Sequence, residues 1–121
     1  MQIIEIVRLI GTTAVGGAAT ITADRPIRGF LVAVEWVDGD LTDGVDGTLS
    51  VIRTSSGVNK TLLTLTDANA DAWYQPREDR HSASGAAASV NDQYMIVDGV
   101  LQLVIASGGD AHTGGALVYL F

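Results

Sequence analysis

Four aspartates within one turn are the first residues whose spacing suggests chemistry. Asp38, Asp40, Asp43 and Asp46 lie in DGDLTDGVDG, residues 38–47. Carboxylates converging from a short loop are what a hard cation such as Ca²⁺ takes. The turn opens D-x-D as a calcium loop does and then departs from it. Thr42 holds the fifth place, the glycine arrives one place late, and no Glu occupies the twelfth. Asp and Gly also serve backbone turns, so calcium is the weaker reading and a solvated turn the stronger. His81 and His112, near Asp79 and Asp110, lack the H-x-x-x-H spacing of a zinc site. No G-x-S-x-G elbow accompanies the serines. The pairs Gly16-Gly17, Gly108-Gly109 and Gly114-Gly115 are not followed by a helix start with Lys-Ser/Thr, so they read as turns and not phosphate loops. With no cysteine, thiolate metal sites, disulfides and Cys nucleophiles are all excluded. The expectation is a non-enzymatic protein without a cofactor.

The densest chemistry lies in Trp73-Tyr74-Gln75-Pro76-Arg77-Glu78-Asp79-Arg80-His81. Large aromatics and arginines favour contact surfaces, because they bury much area and orient a partner with planar donors. Trp73, Tyr74, Pro76, Arg77 and Arg80 are therefore candidate protein–protein contact residues. A structural corner is the competing reading: Trp73 and Tyr74 plug one end of the fold while Pro76 stiffens the exit. Both hold if the aromatics turn in and the arginines reach out. In an acidic chain, Arg77 and Arg80 make a local positive spot, suited to the acidic turn of an identical subunit.

The balance of the chain fits such a role. It has 121 residues, a formal charge of −7 and a single Lys, which argues against neutralising phosphates of nucleic acid or docking on an anionic membrane. The 47% hydrophobic content supports one folded domain over 1–121, while only 17% charged residues leaves a surface of Ala, Ser, Thr and Gly, poorly protected against association. No run reaches the roughly 20 apolar residues that span a bilayer, and the N-terminus does not read as a signal peptide. Synthesis and folding in a cytoplasm are expected.

The elements that must position these residues are short strands. MQIIEIVRLI at residues 1–10 carries Glu5 and Arg8 in opposite phases, so neither face is cleanly polar. A strand covered on both sides or paired across an interface fits, which adds Ile3, Ile4 and Ile6 to the contact candidates. A short amphipathic helix is the alternative there. Thr20 to Ala23 makes a short strand. In the next strand Phe30, Val32, Val34 and Trp36 share one phase, expected to face the core. Residues 48–54 and 60–66 form a hairpin through SSGVN. Ser82 to Asp92 reads as an extended loop. Asp98-Gly99 reads as a two-residue hairpin turn between strands 94–97 and 100–106, and 107–115 as the turn of a final pair ending at Phe121. Seven or eight short strands without a convincing helix predict an all-β fold, an antiparallel sandwich or jelly roll.

Three blocks carry a resemblance: Thr22 to Gly29 (TADRPIRG), Thr61 to Arg77 (TLLTLTDANADAWYQPR) and Leu101 to Phe121. Together with the N-terminal strand they make the chain resemble, over nearly its whole length, small β proteins encoded among the head genes of tailed bacteriophages. The resemblance implies a virion component of the capsid decoration, or cement, type. Such proteins sit on the capsid exterior as trimers and clamp neighbouring major capsid subunits. The implied partners are further copies of this chain, as a homotrimer, and the major capsid protein, with assembly after synthesis in the bacterial host. The strand Gln2 to Leu9 is then expected to add to a neighbouring chain's sheet. A neck, tail or fibre-associated protein is the first alternative, and a carbohydrate-binding module the second.

Overall fold

The computed structural model describes residues 2–3, 5–53 and 57–121. The described residues form ten strands and no helix: β1 (Glu5–Thr12), β2 (Ala19–Thr22), β3 (Ile27–Val37), β4 (Asp46–Ile52), β5 (Lys60–Leu65), β6 (Ala72–Tyr74), β7 (Arg77–His81), β8 (Ala87–Tyr94), β9 (Ile96–Ala106) and β10 (Thr113–Leu120). All pairings are antiparallel. The all-β antiparallel fold anticipated from the strand rhythm is what the chain adopts.

Two long strands organise it. The second half of β3, from Leu31 to Val37, lies between β10 and β6, and β10 also pairs with β1. This gives a first layer in the order β1-β10-β3-β6. The second half of β9 lies between β2 and β4, and β4 also pairs with β5, giving a second layer, β2-β9-β4-β5. The first halves of β3 and β9 pair with each other, Ile27 opposite Gly99 and Phe30 opposite Ile96, and join the layers at a corner.

The core forms between the layers because each strand turns alternate apolar residues inward. Leu9, Val34, Trp36, Ala116 and Val118 come from the first layer, and Leu49, Val51, Leu101, Leu103 and Ile105 from the second. Trp36 is the largest fully buried side chain and donates its indole N–H to the Ala68 carbonyl at 3.0 Å. It crosses the gap: a Cβ on Gly47 in β4 would lie 2.9 Å from its ring. Gly47 thus makes room for an indole from the opposite layer.

Several local expectations are corrected. Asp98-Gly99 is no hairpin turn. The chain runs straight through it as one strand, β9, at the place where that strand passes between layers. Gly99 has φ of 148°, and a Cβ there would sit 2.5 Å from the Ile52 carbonyl oxygen. Glycine is required by a close backbone approach, not by a reversal. The final turn likewise closes no pair, because β9 and β10 lie in different layers. Residues Ser82 to Asp92 are not all loop, since β8 begins at Ala87 and pairs with β7. The phase of β3 is not constant either. Val34 and Trp36 face the core, but Leu31 is also fully buried and Phe30 is 42% exposed. A register irregularity at Tyr119/Leu120, opposite this stretch, lets the strand change face. The β4–β5 hairpin forms as the sequence suggests. Its connecting Ser55 and Ser56 fall outside the described residues, as does Ile4.

Candidate protein–protein interface

The first layer has an unusually apolar outer face. Reading across the registers, Arg8 of β1 stands beside Leu117 of β10, then Glu35 of β3, then Trp73 of β6. One row along, Ile6 stands beside Tyr119, which stands beside Ala33. Successive side chains on a strand alternate faces, so all of these share the side away from the core. Ile6 is 55% exposed and Trp73 61%. The Trp73 and Tyr119 rings pack with centroids 5.2 Å apart, and the Tyr119 hydroxyl donates to Glu35 Oε1 at 3.1 Å. Burial, and then that carboxylate, raise the Tyr119 pKa. Among the described residues no ion pair holds Arg8, which is exposed.

On the outer face of the second layer one row is polar without charge, and the exposed Val104 stands in the next row beside Thr48. Thr22, Gln102, Ser50 and Thr61 form the polar row across β2, β9, β4 and β5. Hydroxyls and amides hydrate well, so this row has little drive to be covered.

The Trp73–His81 segment divides in two. Trp73 and Tyr74 belong to β6, where extended backbone sends them to opposite faces, Trp73 outward and Tyr74 against the core. After Gln75-Pro76 the chain enters β7, which with β8 makes a separate two-stranded arm. Every residue from 80 to 93 is exposed. The arm closes through a turn in which Ser82 N–H donates to the Ala86 carbonyl at 2.9 Å. Arg80 pairs with Asp92 across the arm at 3.2 Å, and Glu78 ties its base to Lys60 of β5 at 2.8 Å. The root is aromatic. Tyr94 packs edge-on to Phe121 and Phe30, and the Phe30 and Phe121 rings stack at 5.4 Å. Arg77 is half-buried there. Its guanidinium lies 4.3 Å from the Tyr94 ring centroid and donates to the Val32 carbonyl at 3.1 Å. Both arginines have partners in their own chain, but Arg80 stays exposed on the arm while paired with Asp92, whereas Arg77 is half-buried at its root.

The N-terminal strand is half engaged. One edge of β1 pairs with β10 along its whole length, Glu5 opposite Leu120 through Thr12 opposite Thr113. Its other edge carries no strand pairing among the described residues. Ile3 precedes the strand and is 46% exposed.

The acidic turn distributes its carboxylates and does not converge them. Asp40 Oδ1 accepts the Thr113 N–H at 2.6 Å, and Asp46 Oδ1 accepts the Asp67 N–H at 3.1 Å. Asp38 contributes its backbone N–H to Asp71 Oδ1 at 2.8 Å. These bonds fasten the turn to neighbouring loops. Among the described residues no group of three acidic or histidine side chains is arranged to hold a metal ion. The Thr113 N–H and the neighbouring His112, whose Nδ1 lies 3.2 Å from Asp40 Oδ2, hold the Asp40 carboxyl below the ordinary carboxylate value. Burial, then the charges of Asp71 and Asp43, push Asp38 up. His81 lies in the arm, remote from any such cluster.

Sequence reasoning named Trp73 and Ile6 as contact candidates but not the face they share. Tyr119, Leu117 and Glu35 were legible only as strand residues, since their side of the sheet depends on partners distant in the chain. Comparison with known protein families, with curated proteins and with solved structures finds no match to this chain.

Proposed function

We propose that this protein is a non-enzymatic structural component of a bacteriophage virion. In this reading it decorates the outer surface of the major capsid lattice as a symmetric oligomer and stabilises the head. The observation that carries the reading is the β7–β8 arm. A two-stranded ribbon has too little apolar surface to be stable alone in water. Here it is held at its root by Arg77, Tyr94, Phe30 and Phe121 and presented with residues 80–93 exposed. An arm anchored to a rigid sandwich reaches across a neighbouring surface while the body stays in place. Repeated on each subunit of an oligomer, such weak footprints add to an avidity no single one has. The resemblance of the Thr61–Arg77 and Leu101–Phe121 blocks to phage head-gene proteins supplies the kind of surface.

Quantitative mass spectrometry of purified particles tests this. A fixed ratio to the major capsid protein near stoichiometric is the expected result. A ratio of a few per cent moves the protein to the neck or tail, and absence from particles ends the virion reading. Replacing Arg80 with Ala is expected to weaken particle binding while leaving the far-ultraviolet circular dichroism unchanged.

A further inference from the structure

The outer face of the first layer carries a charge arrangement that is complementary to itself. Arg8 and Glu35 flank Leu117 on either side, each one strand away, about 4.8 Å in the hydrogen-bonding direction. Consider two copies packed face to face about a two-fold axis running along β10. Such an axis exchanges the two sides of that strand. It sets Arg8 of each copy over Glu35 of the other, with Leu117 meeting Leu117 between them.

The receiving site is already built. Glu35 Oε1 is held by the Tyr119 hydroxyl, leaving Oε2 for a cation. Beside it, the exposed Trp73 ring rests on Tyr119. A carboxylate next to an open indole face suits a guanidinium, which takes a charge-assisted hydrogen bond from one and a cation–π contact from the other. Arg8 is the one basic residue on this face and among the described residues has no ionic partner of its own. The alternative two-fold, across the strands, would set Arg8 on Arg8 and Glu35 on Glu35, and like charges disfavour it. From this geometry we infer that a second copy of this chain covers the face, as an isologous pair in which Arg8 docks against Glu35 and Trp73 of its partner. The inference stands apart from where the assembled protein is deployed.

Sedimentation velocity of the purified chain over a concentration series tests it, with three variants. The wild type is expected to show a dimer or a larger even-numbered oligomer. Arg8→Glu places carboxylate on carboxylate and is expected to weaken association at least tenfold. Arg8→Glu combined with Glu35→Arg restores the opposite pairing and is expected to recover association. Leu117→Lys, which leaves both charges in place, is expected to dissociate the pair through its centre. Circular dichroism confirms that each variant is folded. A wild type that stays monomeric at the highest concentration overturns the inference. So does an oligomer indifferent to Arg8→Glu and Leu117→Lys, or a double variant no stronger than the single one. Because the readout needs no virus particle, its failure leaves the proposed virion role to be decided by the particle measurement.

Discussion

The guanidinium of Arg77 lies over the Tyr94 ring, 4.3 Å from its centroid, at the point where the exposed arm leaves the sandwich. The same group donates to the Val32 carbonyl of β3. One side chain thus joins the first strand of the arm, the last residue of its second strand and the body. Planar delocalised charge suits this position, since it stacks on the ring and still donates in its own plane.

Arg77→Ala is expected to loosen the arm more than the body. A partly buried cation–π contact contributes about 1 kcal/mol. Hydrogen exchange should accelerate at the β7–β8 amides, with little change in β9 or β10. Arg77→Lys keeps the charge without the plane and should fall between. Unchanged exchange in the arm of the alanine variant would show that Arg77 does not anchor it.

Gly99→Ala tests the corner where β9 changes layer. The added Cβ meets the Ile52 carbonyl oxygen at 2.5 Å, and φ of 148° is strained for an L side chain. A cost of roughly 2 kcal/mol or more is expected from the backbone conformation alone, read as a lower midpoint in chemical denaturation. Gly16→Ala is the control, since nothing lies near its Cβ position. Its own positive φ of 92° should still cost something, but less.

Asp38→Asn is expected to stabilise the protein at neutral pH. Burial and the charges of Asp71 and Asp43 raise the Asp38 pKa above its ordinary 3.8, so the folded state holds this proton more tightly than the unfolded chain. The ionised carboxylate therefore opposes folding above the raised pKa, and the penalty disappears below 3.8. Melting temperatures of wild type and variant should differ at neutral pH and converge in acid. Asp40 has the opposite sign. Its lowered pKa makes its charged form stabilising above 3.8, with that contribution lost as pH falls through the folded value. An Asp40→Asn variant should accordingly be less stable at neutral pH.

Local features were legible in the sequence and distant ones were not. The β4–β5 hairpin and the inward phase of Val34 and Trp36 follow from alternation within a few residues. Asp98-Gly99 misleads because a tight hairpin and a close strand crossing need the same residue, and only the Ile52 carbonyl opposite tells them apart. Strand β8 hides for another reason. Neither face of the arm is buried, so AASVNDQY has no apolar alternation to betray it. Among the contact candidates, Trp73 and Ile6 stand exposed as their types suggested. Arg77 does not, because its inward orientation depends on Tyr94, which stands opposite it at the end of β8 and is distant in the chain.

The pairing of β1 with β10 sets the order of events on the ribosome. Leu9 finds its partner only when Ala116 has been made, and β10 must also slot between β1 and β3. Until then the first strand and one edge of β3 stand open, each a template for another nascent chain. Completion of the first layer therefore waits for β10 and is slow to nucleate, because its closing contacts join strands far apart in the chain. Synthesis at high local abundance would favour exchange of β1 between neighbours, a domain-swapped product that size analysis of refolded and freshly synthesised protein can separate.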